Sequence, residues 1–226
     1  MDCWTEGTTT SDSPRTGDPP AIELPERELE AIERALRERE ERRDRIHDRA
    51  RKLRRHAQTT MGRLHEGRDE SGAIAQIRHD LSEMADELGG ELRADGALAH
   101  DAFQEAIEAI LLEAVVRGSP LPSPTDLGVP PESYLLAVGD LVGEIRRLAL
   151  RALTDGALDR ADRMVQAMEH LYHALMRFDT PRSVVPLKPK QDAARSLLER
   201  TRGDLALARV LARAHLPASA GGGNEP

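Results

Sequence analysis

The sequence predicts an all-α protein that forms an antiparallel bundle of six to seven helices. Aromatic residues make up only 2% of the 226 residues, and β-branched residues are sparse. Alanine, leucine, glutamate and arginine dominate instead, and these are among the strongest helix formers. Apolar residues also recur at spacings of three and four, which is the period of a helix with one buried face.

The chain begins with a polar tail and a long helix. Residues 1–23 are rich in Thr, Ser, Gly, Pro and Asp and are expected to be disordered, because they bury too little apolar surface to offset the entropy of ordering. The first helix starts near Pro25 and ends near Gly67. Its apolar stripe comprises Ile46, Ala50, Leu53, Ala57, Met61 and Leu64.

The remaining helices are separated by clear breaks. Residues 118–131 contain five prolines and are predicted to form a connecting loop, because proline interrupts a helix. The residues 217–226 form a flexible tail, so that the helical domain covers residues 24–216. The predicted helices after the first cover about residues 71–93, 98–117, 132–155, 158–178 and 190–215.

The same pattern limits the location and assembly of the chain. No run of about 20 apolar residues is present, so we expect a cytoplasmic protein without membrane contact. The apolar stripes of the longer helices are wide, which predicts self-association. Gly139 and Gly143 lie one helical turn apart and would allow another helix to approach closely. The alternative interpretation is that both glycines only weaken their helix.

Charge is unevenly distributed. The chain has a formal net charge of -8, yet residues 37–55 contain ten basic and five acidic residues. This basic segment is compatible with local binding of single-stranded nucleic acid phosphates. It is equally compatible with a solvated helix face that carries Glu–Arg pairs at four-residue spacing.

Four acidic residues lie beside strongly apolar sequence without intervening lysine or arginine. Glu105 and Glu108 are about 60° apart on the third helix, and Asp140 and Glu144 are about 40° apart on the fourth long helix, on faces away from the apolar stripes. Charge at half-buried positions is costly unless something binds it. If both faces meet at one cavity, the four carboxylates would suit Mg²⁺ or Mn²⁺.

A simpler interpretation of two of these acids stays open. Arg147 and Arg151 continue the row of Asp140 and Glu144 at helical spacing, so surface ion pairs would account for that half of the set.

The histidines expected at solvent-facing positions are His47, His56, His65, His79 and His100.

Several segments resemble the translin family. Residues 42–67 resemble its first long helix, which ends in a Leu/Val-His-x-Gly element, and residues 102–116, AFQEAIEAILLEAVV, resemble its third helix. Residues 133–153 are similar to its Tyr-Leu-x-Gly-x-x-Asp-Leu-x-Gly-Glu-x-x-Arg signature, with Ala137 in place of one glycine. Residues 171–205 resemble its carboxy-terminal helices.

The acidic residues distinguish between two branches of this family. Translin itself binds single-stranded RNA and DNA and lacks these carboxylates, whereas translin-associated factor X carries them and is a Mg²⁺-dependent endoribonuclease. Gln104, Glu105 and Glu108 match the Gln-Glu-x-x-Glu motif of the second branch, and Asp140 and Glu144 match its Asp-Leu-x-Gly-Glu motif. The chain therefore resembles a prokaryotic-type member of the translin-associated factor X branch.

The resemblance implies an endoribonuclease that acts on single-stranded RNA, with single-stranded DNA as a second candidate ligand. Glu105, Glu108 and Asp140 would be the catalytic residues and, with Glu144, the ligands of Mg²⁺ or Mn²⁺. The assembly implied is a hollow homo-oligomer of about six to eight subunits. The alternatives are an oligomer that binds single strands without cleaving them and a helical scaffold for protein partners. The residues expected to hold phosphates are Arg54, Arg55, Arg78 and Arg147.

Overall fold

The all-α prediction is confirmed. The computed structural model describes residues 25–88 and 97–214, and within these ranges the chain contains helices and no strand. The predicted tails, 1–23 and 217–226, lie outside the described residues, and the domain bounds 24–216 stay a prediction. The seven described helices are α1 (Glu26–His65), α2 (Ser71–Leu88), α3 (Ala97–Arg117), α4 (Pro124–Leu127), α5 (Pro131–Thr154), α6 (Leu158–Leu175) and α7 (Lys188–Ala214).

The described chain divides into two units, one up to Glu40 and one from Glu41 onward. In the first unit, residues 26–40 form the beginning of α1 and all are exposed. Their apolar residues Leu29, Ile32 and Leu36 are between 41% and 60% exposed. No described helix is long and apolar enough to cross a membrane.

Two helix ends lie where the sequence predicted them, and both depend on a glycine. After α1, Gly67 has a φ of 81°, and the Arg68 N–H donates to the Arg63 carbonyl at 3.1 Å. After α5, Gly156 has a φ of 71°, and the Ala157 N–H donates to the Ala152 carbonyl at 2.8 Å. Glycine adopts this left-handed conformation without steric cost, so the last carbonyls of each helix are satisfied.

The predicted loop over residues 118–131 is partly wrong, because it contains α4. Ser123 Oγ accepts a hydrogen bond from the Asp126 N–H at 3.1 Å, and the Asp126 carboxylate accepts one from the Ser123 N–H at 2.8 Å. This reciprocal pair caps a helix start, and Pro124 is tolerated in the first turn because its missing N–H would have no partner there. Gly128, with a φ of 63°, ends the helix after this one turn.

In the second unit, α5 lies at the centre. It packs against α3, α6 and α7, while α6 also packs against α7 and α2 packs against α3. Only residues 155–157 connect α5 to α6, so these two packed helices run antiparallel. Leu141 and Ile145 of α5 and Ile107 and Ile110 of α3 are fully buried in the shared core.

The third helix is more deeply buried than its predicted single stripe implies. Besides Phe103, Ile107 and Ile110, Leu112 is also fully buried, although it lies on the opposite side of α3, between Glu105 and Glu108. The sequence prediction of one apolar face opposite the acids is therefore wrong. As a result, acidic residues on α3 lie in a largely apolar environment.

A close contact places the start of α7 against α5. A Cβ added at Gly139 would lie 2.7 Å from Lys190 Cβ, whereas one added at Gly143 would lie 3.8 Å from Leu197 Cδ1. Gly139 therefore allows the close helix approach that the sequence predicted, and Gly143 is not required for it. Gln191 Nε2 donates to the carbonyls of Leu175 at 2.9 Å and Phe178 at 2.8 Å, which ties α7 to the end of α6.

Candidate active site

The four predicted carboxylates line one cavity of about 470 Å³ that opens to solvent. Glu105 and Glu108 come from α3, and Asp140 and Glu144 come from α5, which packs directly against α3. The remaining lining residues are Gln58, Met61, Gly62 and Arg147. The structure thus brings together the acids that helical spacing had placed on two separate faces.

Glu108 is the most buried member of this group. Its residue is only 7% exposed, and its side chain has no hydrogen bond or ion pair with another described residue. Burial, followed by the negative charges of Asp140, Glu144 and Glu105, raises the pKa of the Glu108 carboxyl to about 9. At neutral pH this carboxyl is therefore protonated unless a cation enters the cavity.

Unlike Glu108, Glu144 has neighbouring side chains that favour its ionised form. Its Oε2 is hydrogen-bonded to His65 Nε2, and Arg147 Nη1 donates to Glu144 Oε1 at 3.2 Å and Oε2 at 3.0 Å. Although burial opposes its ionisation, the His65 hydrogen bond and the Arg147 charge together hold the pKa of Glu144 below its usual value. The predicted pairing of Arg147 with this row of acids is confirmed.

His65 does not lie at the solvent-facing position expected from the sequence. Its side chain is only 14% exposed, because the end of α1 lies against α5. Arg151 of α5 also donates a hydrogen bond to the His65 backbone carbonyl. These two contacts fix the imidazole beside Glu144.

Asp140 and Glu105 are also held by neighbouring side chains. Asp140 Oδ1 accepts a hydrogen bond from Lys190 Nζ, and Asp140 Oδ2 accepts one from Gln104 Nε2. Glu105 Oε1 accepts a hydrogen bond from Gln58 Nε2 at 3.0 Å. Of these partners, only Gln104 belongs to a motif that is recognisable in the sequence, beside Glu105.

The structure separates the basic residues expected to contact phosphates. Arg54 and Arg55 lie on α1, one turn before the cavity-lining Gln58, and Arg54 is half-buried whereas Arg55 is exposed. Arg78 lies elsewhere, because it lines a different cavity together with Asp126 of α4. It is therefore not part of the carboxylate cavity.

Part of the basic segment forms ion pairs within the chain. Arg49 pairs with Glu83 at 2.9 Å and with Glu87 at 2.6 Å, both on α2, and Arg51 pairs with Asp48. Two of these pairs join α1 to α2 and the third has three-residue spacing, so they are not the four-residue Glu–Arg pairs expected on a solvated face. The residues of α1 that line the carboxylate cavity are Gln58, Met61 and Gly62.

The donor chemistry of the cavity fits a hard divalent cation, but its present arrangement is not a formed metal site. Across residues 25–88 and 97–214, no three His, Cys, Asp or Glu side chains are grouped so as to hold a metal ion. Carboxylate oxygens are the ligands that Mg²⁺ and Mn²⁺ prefer, and Glu108 has no other partner. A cation would have to replace the hydrogen bonds that now hold Asp140 and Glu144.

Fold and cavity define a helical protein with a carboxylate-lined cavity formed by α1, α3 and α5. Residues 41–201 match the sequence model of the Translin family. The chain belongs to the Translin family, as its sequence motifs predicted. It is also 38% identical over 103 residues to uncharacterized protein MJ0175 of Methanocaldococcus jannaschii, in a match that covers 45% of this chain and 46% of that protein. The chain thus matches about half the length of that relative.

Solved structures of C3PO proteins share the fold. The crystal structure of AfC3PO has a TM-score of 0.75 at 31% identity, covering 81% of this chain and 98% of that one. The AfC3PO–duplex RNA complex has a TM-score of 0.68 at 31% identity, covering 84% of this chain and 100% of that one. Apo-NeC3PO has a TM-score of 0.74 at 20% identity, covering 83% and 100%. The predicted translin-like helical fold is confirmed.

Proposed function

We propose that this protein is a Mg²⁺-dependent endoribonuclease of the translin-associated factor X type. The observation that supports this most directly is the cavity in which Glu105, Glu108, Asp140 and Glu144 meet, with Glu108 buried and unpaired. RNA is the proposed substrate because the similar protein AfC3PO forms a complex with duplex RNA. Mn²⁺ is an alternative cofactor, since it has the same preference for oxygen ligands.

The side chains of the cavity have distinct roles in this proposal. Glu105, Glu108 and Asp140 would hold the ion, and Glu144 would act as a further ligand or as the acceptor of a proton from water. When bound, Mg²⁺ would lower the pKa of a water molecule and neutralise charge on the phosphodiester. Glu144 stays ionised at neutral pH because His65 and Arg147 favour its charged form.

Binding of the RNA strand depends on the cations around the cavity. Arg147 lines the cavity and is exposed, so its guanidinium can contact a phosphate that flanks the cleaved bond. Arg54 and Arg55 would extend this contact along α1. Because the described residues provide few aromatic rings for stacking, binding would show little base selectivity.

The proposal includes the assembly of the protein. We place the site inside a hollow homo-oligomer of about six to eight subunits in the cytoplasm. Enclosure would favour short single strands of RNA, with single-stranded DNA as a second ligand. Duplex RNA is the necessary comparison because it is the ligand in the AfC3PO complex.

A non-catalytic oligomer that binds RNA or DNA is the second candidate. Asp140 is held by Lys190 and Gln104, and Glu144 is held by His65 and Arg147. A cavity whose acids keep these partners would not bind a cation. This candidate predicts the same nucleic acid binding but no products.

Cleavage of end-labelled RNA in Mg²⁺, in Mn²⁺ and in EDTA distinguishes these functions. We expect products from single-stranded RNA in Mg²⁺ and none in EDTA, with duplex RNA cut more slowly. Glu105→Gln should lower the cleavage rate by about 100-fold or more while RNA affinity stays nearly unchanged, because it removes a metal ligand rather than a phosphate contact. The matched control is Glu199→Gln, which changes an exposed glutamate paired with Arg195 on α7.

The outcomes separate three functions. Binding without products at any metal concentration would leave the non-catalytic oligomer. Failure to bind any oligonucleotide at low salt would leave the protein scaffold. Equal loss of activity in Glu105→Gln and Glu199→Gln would contradict the assignment of Glu105.

A further inference from the structure

Lys190 places a positive charge beside the carboxylate cavity, at its lining residue Asp140. Its Nζ donates a hydrogen bond to Asp140 Oδ1, and its side chain is only 30% exposed. The same charge acts favourably on the ionised form of Glu108. One lysine thus partly compensates two of the acids proposed to bind metal.

The position of Lys190 is fixed from two sides. On one side, Gly139 lies directly against Lys190 Cβ and Cγ, where an added Cβ would be 2.7 Å and 3.1 Å from these atoms. On the other side, the neighbouring Gln191 is hydrogen-bonded to two carbonyls at the end of α6. The backbone at Lys190 is therefore held while its flexible stem reaches Asp140, the residue next to Gly139.

We propose that Lys190 is a built-in competitor of the divalent cation: its ammonium holds the Asp140 carboxylate until metal binding displaces it. This inference rests on the proposed function and adds a mechanism that sets the metal affinity of the same site. A lysine ammonium is a compact point charge on a flexible stem, so it can leave the carboxylate without movement of the helix. Only molecules in which Lys190 has released Asp140 can bind metal. The apparent dissociation constant for metal therefore rises as the fraction of such molecules falls.

Arg147 is a weaker competitor than Lys190. Its guanidinium binds Glu144, which lies three residues away on the same helix, and its side chain is largely exposed. It can therefore turn toward solvent when Glu144 is needed. Lys190 instead comes from a different helix that is packed onto α5 at Gly139, so its charge stays near the cavity.

Measurement of Mn²⁺ binding in the absence of RNA tests this inference. Titration calorimetry and the electron paramagnetic resonance signal of free Mn²⁺ each give a dissociation constant that does not depend on activity. Lys190→Met keeps the aliphatic stem that packs on Gly139 but removes the charge. We expect it to bind Mn²⁺ with a dissociation constant roughly fivefold lower than that of the unmodified chain.

Two variants serve as controls. Lys188→Met removes a lysine two residues earlier that pairs with Asp192 at 3.0 Å and is 71% exposed, so the dissociation constant should not change. Lys190→Arg keeps a positive charge at the same position and should restore weak binding. If Lys190→Met does not fold, Lys190→Gln provides the same comparison.

The results distinguish failure of this inference from failure of the proposed function. Equal or weaker Mn²⁺ binding by Lys190→Met would overturn the competitor role but leave a metal-dependent enzyme. Absence of Mn²⁺ binding by both chains would overturn both. Binding by Lys190→Met alone would overturn the displacement of the lysine by metal, because the unmodified chain would then exclude the ion, and it would count against a metal-dependent enzyme.

Discussion

Among single residues, Glu108 shows how the surroundings of a carboxyl group change its chemistry. Burial on α3 and the three neighbouring acids oppose its ionisation, and the charge of Lys190 offsets them only in part. An ionised carboxylate in such a place is destabilising unless it is paired. The folded chain therefore keeps this group protonated at a pH where the unfolded chain does not.

This difference predicts a specific pH dependence of stability. The Glu108 pKa is about 9 in the folded chain and 4.5 in its unperturbed form. Between these values the folded state binds more protons, so the free energy of unfolding falls as pH rises through this window. In EDTA, Glu108→Gln should be more stable than the unmodified chain by about 2 kcal/mol at pH 8.5, and this advantage should shrink toward pH 5.

Urea unfolding followed by circular dichroism at several pH values measures this effect. Glu105→Gln is the matched control one turn earlier on α3, and it should change stability less because Glu105 is only half-buried and bonds Gln58. A stability difference for Glu108→Gln that is independent of pH would contradict the raised pKa.

The sequence predicted the four acids of this site but not the side chains that bind them. Glu105, Glu108, Asp140 and Glu144 could be found because helical spacing places acids of the same helix on a shared face. Their partners come from helices that are distant in sequence, and only tertiary packing brings them near. His65, Gln58 and Lys190 are therefore visible in the structure alone.

At the scale of helices, the contact between α5 and α7 predicts that alanine substitution changes stability in opposite directions at two glycines of α5. Gly139→Ala places a Cβ 2.7 Å from Lys190 Cβ, which is bound directly to the α7 backbone, so α7 has to shift. We expect a net loss of about 1–3 kcal/mol in the free energy of unfolding. Gly143→Ala meets only Leu197 Cδ1 at 3.8 Å and should instead gain up to about 1 kcal/mol from helix propensity.

Thermal and urea unfolding of both variants in EDTA measure this difference. Both glycines lie in α5 and both changes add one methyl group, so each variant is the control for the other. If the two substitutions have the same sign, the close approach of α7 at Gly139 is not what stabilises that contact.

The predictability of the helices follows from local signals. The ends of α1 and α5 were predicted because Gly67 and Gly156 end the apolar periodicity. The helix α4 was missed because the prolines around it dominate the pattern, whereas the Ser123–Asp126 cap depends on hydrogen bonds between only a few residues. The burial of α3 on several sides was missed because periodicity identifies an apolar face but not the number of helices that will pack around it.

At the scale of the whole chain, the distribution of charge limits where a negatively charged ligand can bind. The net charge of -8 opposes general adsorption to nucleic acid. The basic residues near Gln58 and the exposed Arg147 lie beside the carboxylate cavity. An RNA strand would therefore be attracted to the cavity only locally, and a bound cation would strengthen this attraction by neutralising the acids.

The exposed apolar residues at the beginning of α1 predict self-association. Leu29, Ile32 and Leu36 are spaced by three and four residues, so they form one apolar stripe on an otherwise polar helical segment. Such a stripe is stabilised when a second helix covers it. We expect the triple variant Leu29→Ser, Ile32→Ser and Leu36→Ser to have a lower molar mass by light scattering than the unmodified chain.

The folded structure of each subunit should not change in this variant, because none of the three side chains is buried. Its helix content by circular dichroism should therefore stay nearly constant while its mass falls. The matched control replaces Glu30, Glu33 and Arg37 by serine, which alters a face about 100° away on the same helix, and it should keep the original mass. If both triple variants keep the mass of the unmodified chain, the stripe is not an interface and subunits associate through another surface.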